Sequence, residues 1–139
     1  MFFRAEHDQI DELLEKLELA NPDQKPRILR TLGAAVISHF RVEETVLFQQ
    51  LEFTPQYRKL IREISRAHSE AKSLLSALLD EKDLGRLSAQ SENLIDLLLD
   101  IMDMEETILF PKLEAHLSSD ELRMLARQLH YEPEIEEAA

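Results

Sequence analysis

Three histidines and two glutamates interrupt the apolar stripes of this chain, and their types and spacing could do metal chemistry. His7 lies three residues before Ile10 and seven before Leu14. His39 follows Leu32 by seven and Val36 by three; Glu43 comes four later, with Val46 three beyond it. His68 sits four after Ile64 and three before Ala71. Glu105 sits four after Ile101 and three before Ile108. At these spacings each shares a helix face with side chains that belong in a core. A histidine on such a face is ordinarily satisfied by a hydrogen bond. A buried, ionised glutamate is costly unless it is paired or coordinated. Two of them beside three imidazoles call for a cation. No Arg or Lys stands on these stripes at that level, although Lys72, one turn after His68, could fold inward. A metal ion is the simplest counter-charge. The chain has no cysteine, so the donors are nitrogen and oxygen, which suit iron, manganese or zinc. Five donors exceed the usual four of a structural zinc site. Two carboxylates able to bridge favour non-haem iron as a pair of ions, with a single iron, manganese or zinc left open. The Glu-x-x-His pattern of ferritin-like di-iron proteins is absent.

For these residues to meet, long helices must carry them. Asn21-Pro22 and Thr54-Pro55 each read as a cap followed by a proline suited to the first helical position. Gly85 reads as a turn, and Pro111 as a kink or stop. The expected segments are then 3–20, 22–52, 55–82 and 86–115, followed by a short helix over 118–129 opened by a Ser118/Glu121 capping box. Short connections favour antiparallel neighbours, so the predicted fold is all-α: an up-down-up-down four-helix bundle with a short C-terminal helix. Residues 1–131 form one domain in this reading, and 132–139 an acidic tail. At about 1.5 Å per residue, counting from the shared turns puts the three imidazoles within one turn of each other, with the carboxylates close by.

Composition agrees. A chain of 139 residues has room for one core, and only 2 glycines argue against an all-β fold. With 28 acidic against 16 basic residues and a net charge of −12, nucleic acid is not an expected partner. The start reaches charge within four residues, and Asp96 and Asp100 cut the longest apolar stretch. Neither a signal peptide nor a membrane span is expected, and the chain reads as cytoplasmic. Phe48, Phe110, Met102 and Met104 read as packing, and His116 and His130 as surface residues.

Residues 43–52 and 105–114 repeat each other, Glu-Glu-Thr-Val-Leu-Phe-Gln-Gln-Leu-Glu against Glu-Glu-Thr-Ile-Leu-Phe-Pro-Lys-Leu-Glu, identical at seven of ten positions. With Glu6-His7, the run His39 to Phe48, the isolated Ala67-His68 and the run Glu105 to Pro111, the chain resembles the hemerythrin-like (HHE cation-binding) family. The resemblance implies a four-helix bundle around a non-haem di-iron centre that binds or senses dioxygen or nitric oxide, or handles iron. It implies His7, His39, Glu43, His68 and Glu105 as ligands, with the two glutamates bridging. The chain departs from the family pattern where Ile101 replaces a histidine and Lys72 stands where oxygen carriers have another. Water, Glu106, Asp103 or Glu44 could fill the gap left at Ile101. A different reading is a metal-free bundle acting as a scaffold, with both glutamates neutral or paired to Lys72. Nothing in the sequence defines a substrate pocket for an enzyme.

Overall fold

The computed structural model of the chain describes residues 2–51, 54–121, 123, 124 and 127. The first helix, α1, spans Phe2–Leu19. It is followed by α2 (Lys25–Val42), a π-helical turn π1 (Glu43–Phe48) and the short α3 (Gln49–Leu51), which together make the second long rod. The third is α4 (Pro55–Asp80). The fourth runs through α5 (Leu84–Met104), a second π-helical turn π2 (Glu105–Leu109) and α6 (Phe110–His116). No strand occurs among the described residues. The first rod packs on the second and fourth, and the third packs on the same two, so the rods form a ring of four. This is the expected antiparallel bundle. No helix among the described residues is long and apolar enough to cross a membrane.

Several boundaries differ from the sequence reading, each for a local reason. The second rod starts at Lys25 rather than at Pro22. Asn21-Pro22 instead forms a turn in which the Asn21 carbonyl accepts from the amides of Gln24, at 2.9 Å, and Lys25, at 3.3 Å. Pro26 then takes the helix-opening position. The buried Lys25 donates from Nζ to the Leu17 carbonyl at 2.8 Å, satisfying a carbonyl left open at the end of α1. Thr54-Pro55 does open α4, although the Thr54 side chain makes no cap bond. Gly85 is not the turn: Asp83 caps α5 by accepting from the Arg86 amide at 3.0 Å, which puts Gly85 inside the first helical turn. Pro111 does not end the fourth rod, which continues to His116. It sits just past π2, where the ladder has already been widened. The capping box is present, with reciprocal bonds of 3.1 Å between Ser118 and Glu121. The end of that helix at 129, His130 and the 132–139 tail lie outside the described residues, as do residue 52 and the Val46 side chain.

The core consists of two apolar clusters. One gathers Leu14, Leu32, Val36, Leu75, Leu98 and their neighbours. The other gathers Leu47, Leu51, Ile61, Ile64, Leu109 and Leu113. Burying each such leucine or isoleucine contributes about 2 kcal/mol, so the clusters set the register of the rods. Between them lies a layer of buried polar side chains: His7, His39, Glu43, His68 and Glu105.

Candidate metal centre

His7 enters the layer from α1, His39 from α2 and His68 from α4. The glutamates are the first residues of the two π-turns. Those turns are where the sequence repeat becomes structure. Thr45 donates from Oγ1 to the Arg41 carbonyl at 2.8 Å, and Thr107 to the Asp103 carbonyl at 2.7 Å. A hydroxyl bonded back to the fourth preceding carbonyl competes with the backbone ladder there, which favours widening. The amide of Glu43 is shared between the His39 and Phe40 carbonyls, and that of Glu105 between those of Ile101 and Met102.

The widened turn keeps each glutamate inward and rotates the residues after it by about one position, or 100°. Plain helical periodicity therefore fails after Glu105. Ile108, expected in the core, is 42% exposed, while Leu109 and Phe110 are fully buried. Leu47 and Phe48 hold the matching places after Glu43.

All five side chains converge, none more than 3% exposed. His7 Nε2 lies 3.0 Å from His39 Nε2 and 3.0 Å from Glu105 Oε1. His68 Nε2 lies 2.9 Å from Glu105 Oε2. One carboxylate thus faces imidazoles from α1 and α4, two rods diagonal in the ring. Glu43 Oε1 lies 2.9 Å from His39 Nε2 and 3.9 Å from His68 Nε2. Yet neither Glu43 oxygen has a hydrogen-bond partner, because the close approach to His39 is not along a donor direction.

The far side of each imidazole meets another carboxylate. Glu6 takes His39 Nδ1 in a short contact. Glu44 lies 3.1 Å from His68 Nδ1 and is itself held by Lys72 Nζ at 2.9 and 3.0 Å. Glu106 Oε1 lies 3.4 Å from His7 Nδ1. Each outer carboxylate belongs to the rod preceding that of its imidazole. At His39 and His68 the carboxylate bonded to Nδ1 can take the proton there and leave Nε2 to face inward, as metal-binding histidines require, whereas His7 Nδ1 has no hydrogen-bond partner and meets Glu106 only in a longer contact.

This arrangement fits a metal ion. The inward face brings three imidazole Nε2 atoms and two carboxylates together; without metal, Nε2 of His7 and of His68 can donate to Glu105, while Glu43 has no hydrogen-bond donor. Such a face suits a cation. Donor atoms of His7, His39, Glu43 and Glu105 all lie within 4.8 Å of one another, a group that could hold a metal ion. Lys72 does not supply the charge, since it pairs with Glu44 outside the layer.

Burial pushes the Glu43 carboxyl up to about 7, and the nearby charge of Glu105 adds to it. Burial would raise Glu105 too, but hydrogen bonds from His68 and His7 outweigh it and hold Glu105 down at about 2. Burial opposes the charged form of His39, but Glu43, Glu6 and Glu105 together outweigh it and raise its pKa well above the usual value. His68 is raised despite its burial, chiefly through its hydrogen bond to Glu105.

The model of the hemerythrin HHE cation binding domain matches residues 2–113. The chain belongs to the hemerythrin HHE cation-binding family. No match was found among curated proteins or among solved structures. Where the resemblance implies a histidine, this hemerythrin domain has hydrocarbon: Ile101 is 1% exposed and packs in the first cluster with Leu98 and Met102. None of the nearby carboxylates takes its place. Glu106 turns to His7, Glu44 to His68, and Asp103 is exposed.

Phe110 lies 5.4 Å from the His7 ring, and Phe48 5.5 Å from that of His68, so both pack on the centre. Phe40 stacks on His68 at 3.7 Å and 7°. Periodicity misses Glu6, Glu44 and Glu106, because they lie one residue off the stripes. The signal that could find them is adjacency: each stands beside an inward donor in Glu6-His7, Glu43-Glu44 or Glu105-Glu106. The exposed His116 packs edge-on against Tyr57 at 5.3 Å, away from the centre.

Proposed function

We propose that this domain holds a non-haem centre of two irons and uses it to bind or sense a diatomic ligand, dioxygen or nitric oxide, or to handle iron. The observation that supports it best is Glu105, whose two oxygens face His7 and His68 from diagonal rods. A carboxylate shared by two ions needs that disposition. His7 and His39 would hold one ion and His68 the other, with Glu43 and Glu105 common to both. Iron, when bound, would supply coordination positions that exchange water for a diatomic ligand. Ile101 offers no donor, so the ion beside His68 would keep more such positions than its neighbour. Phe40 and Phe110 cover the imidazoles and exclude bulk water.

A single-metal reading has its own support, because His7, His39, Glu43 and Glu105 form a complete group of four without His68. Elemental analysis of protein produced with iron available separates the two. About two irons per chain, with a visible absorption change under nitric oxide, is the expected result for a bridged pair. One ion per chain selects the single-metal site. Metal at background, with melting unchanged by chelation, would remove metal binding altogether and leave the scaffold reading.

A further inference from the structure

A groove of about 610 Å³ lies between π1 and α4, outside the ring of inward donors. Its floor is apolar, formed by Phe48 and Ile61. Arg58, Arg62 and Arg66 line it at i, i+4 and i+8 of α4, and Lys72 lines it further along the same helix. The chain carries 28 acidic and 16 basic residues, so four basic residues around one opening reverse the charge of the whole locally. Like charges one turn apart on a helix repel and destabilise it. None of the three arginines has an ion-pair partner among the described residues. A stripe of arginines that merely faces solvent needs neither a groove nor an apolar floor, and this one has both.

We infer that the groove is a binding site for a small organic anion, with a phosphate or carboxylate head on a compact apolar body. Guanidinium forks match either head in a two-point geometry, and the hydroxyls of Ser65 and Ser69 add donors along the same wall. Phe48 and Ile61 take the apolar body. Glu44, fixed on Lys72, lines the groove as well and repels an anion, which places the head among the arginines. The volume falls within the range of about 300–1,000 Å³ usual for small-molecule sites.

Calorimetric titration of the full chain with phenyl phosphate and with benzoate tests this, with inorganic phosphate and benzyl alcohol as controls. The expected result is saturable binding of at least one aromatic anion at one site per chain. It should be about tenfold tighter than for inorganic phosphate, with no binding of the alcohol. The preferred aromatic anion then identifies the head group. Arg62→Gln combined with Arg66→Gln should weaken it by about tenfold or more, and Arg62→Lys by less, because charge without the fork is only a partial substitute. These positions are exposed, and circular dichroism checks that the variants fold. Absence of saturable binding by either aromatic anion would overturn the site. So would equal binding by the double variant, or equal affinity for inorganic phosphate.

Discussion

The two π-turns carry nearly the same sequence and the same local structure, yet their leading glutamates live in opposite electrostatic states. Glu43 and Glu105 both open a widened turn, both are wholly buried, and both are followed by a threonine that bonds back across the helix. Glu105 accepts from His7 and His68 and sits at about 2; Glu43 has no hydrogen bond and sits at about 7. The backbone repeats, and the neighbours do not. Four residues before Glu43 stands His39, whereas four before Glu105 stands Ile101. The local segment therefore determines where a carboxylate points, and the imidazoles around it determine what it costs to keep it there.

Substitutions at matched positions should separate these contributions. The largest effect is expected at Glu105→Ala. It breaks a buried network and leaves His7 and His68 without their shared acceptor, at about 3–5 kcal/mol in urea denaturation of the metal-free protein, together with loss of bound metal. Glu43→Gln should act with opposite sign on the metal-free protein. It removes a buried charge that no hydrogen bond satisfies, although it also takes a counter-charge from His39, and on balance should stabilise that form at pH 8 by on the order of 2 kcal/mol, while still lowering metal content by elemental analysis.

The same asymmetry predicts the pH dependence of the metal-free form. Glu43 is raised, so its contribution is full below 4.5 and lost as pH climbs through about 7. His39 and His68 are also raised, and their contributions are full below 6.5 and lost above it. Glu105 is lowered, so its contribution is full above 4.5 and lost as pH falls through about 2. Melting of metal-free protein should therefore be highest at about pH 5 and fall toward pH 8. Bound metal should reverse the upper part of that trend, because its ligands must be deprotonated.

Making the two copies alike is the next smaller change. Ile101→His should raise metal per chain while destabilising the metal-free protein by about 1–3 kcal/mol, through a polar ring placed in an apolar cluster. An unchanged metal load would show that the gap at Ile101 does not limit the site. The smallest effect belongs to the threonines. Thr45→Val and Thr107→Val each remove one hydroxyl bond and should cost about 1 kcal/mol or less, with similar values in both copies if the turns are equivalent.

Much of this is legible in the chain itself. The five inward residues follow from stripe spacing, because a 3.6-residue period assigns faces without knowledge of neighbours. What periodicity cannot supply is a change of period. The repeat around Glu43 and Glu105 is plain in the sequence, but the threonine back-bond that widens the turn is a competition for one carbonyl, and it turns Ile108 out of the core. The start of the second rod is displaced for a similar reason. Two prolines, Pro22 and Pro26, offer rival openings, and the turn closed by the Asn21 carbonyl decides between them. Adjacency to an inward donor marks the outer carboxylates within one helix, but which imidazole each one meets is set by packing, since each meets an imidazole on another rod.

Those outer carboxylates run around the bundle in one sense of circulation. Glu6 reaches forward from the first rod to the second, Glu44 from the second to the third, and Glu106 from the fourth back to the first. The missing link is from the third rod to the fourth, and it is missing at both ends. The fourth rod has Ile101 where an imidazole would stand. Ser69, one neighbour of His68, lines the groove beside π1, and the other neighbour, Ala67, packs on the first apolar cluster and carries no carboxylate. The circuit is thus three-quarters complete, and a braced imidazole on the fourth rod would take paired changes at 67 and 101.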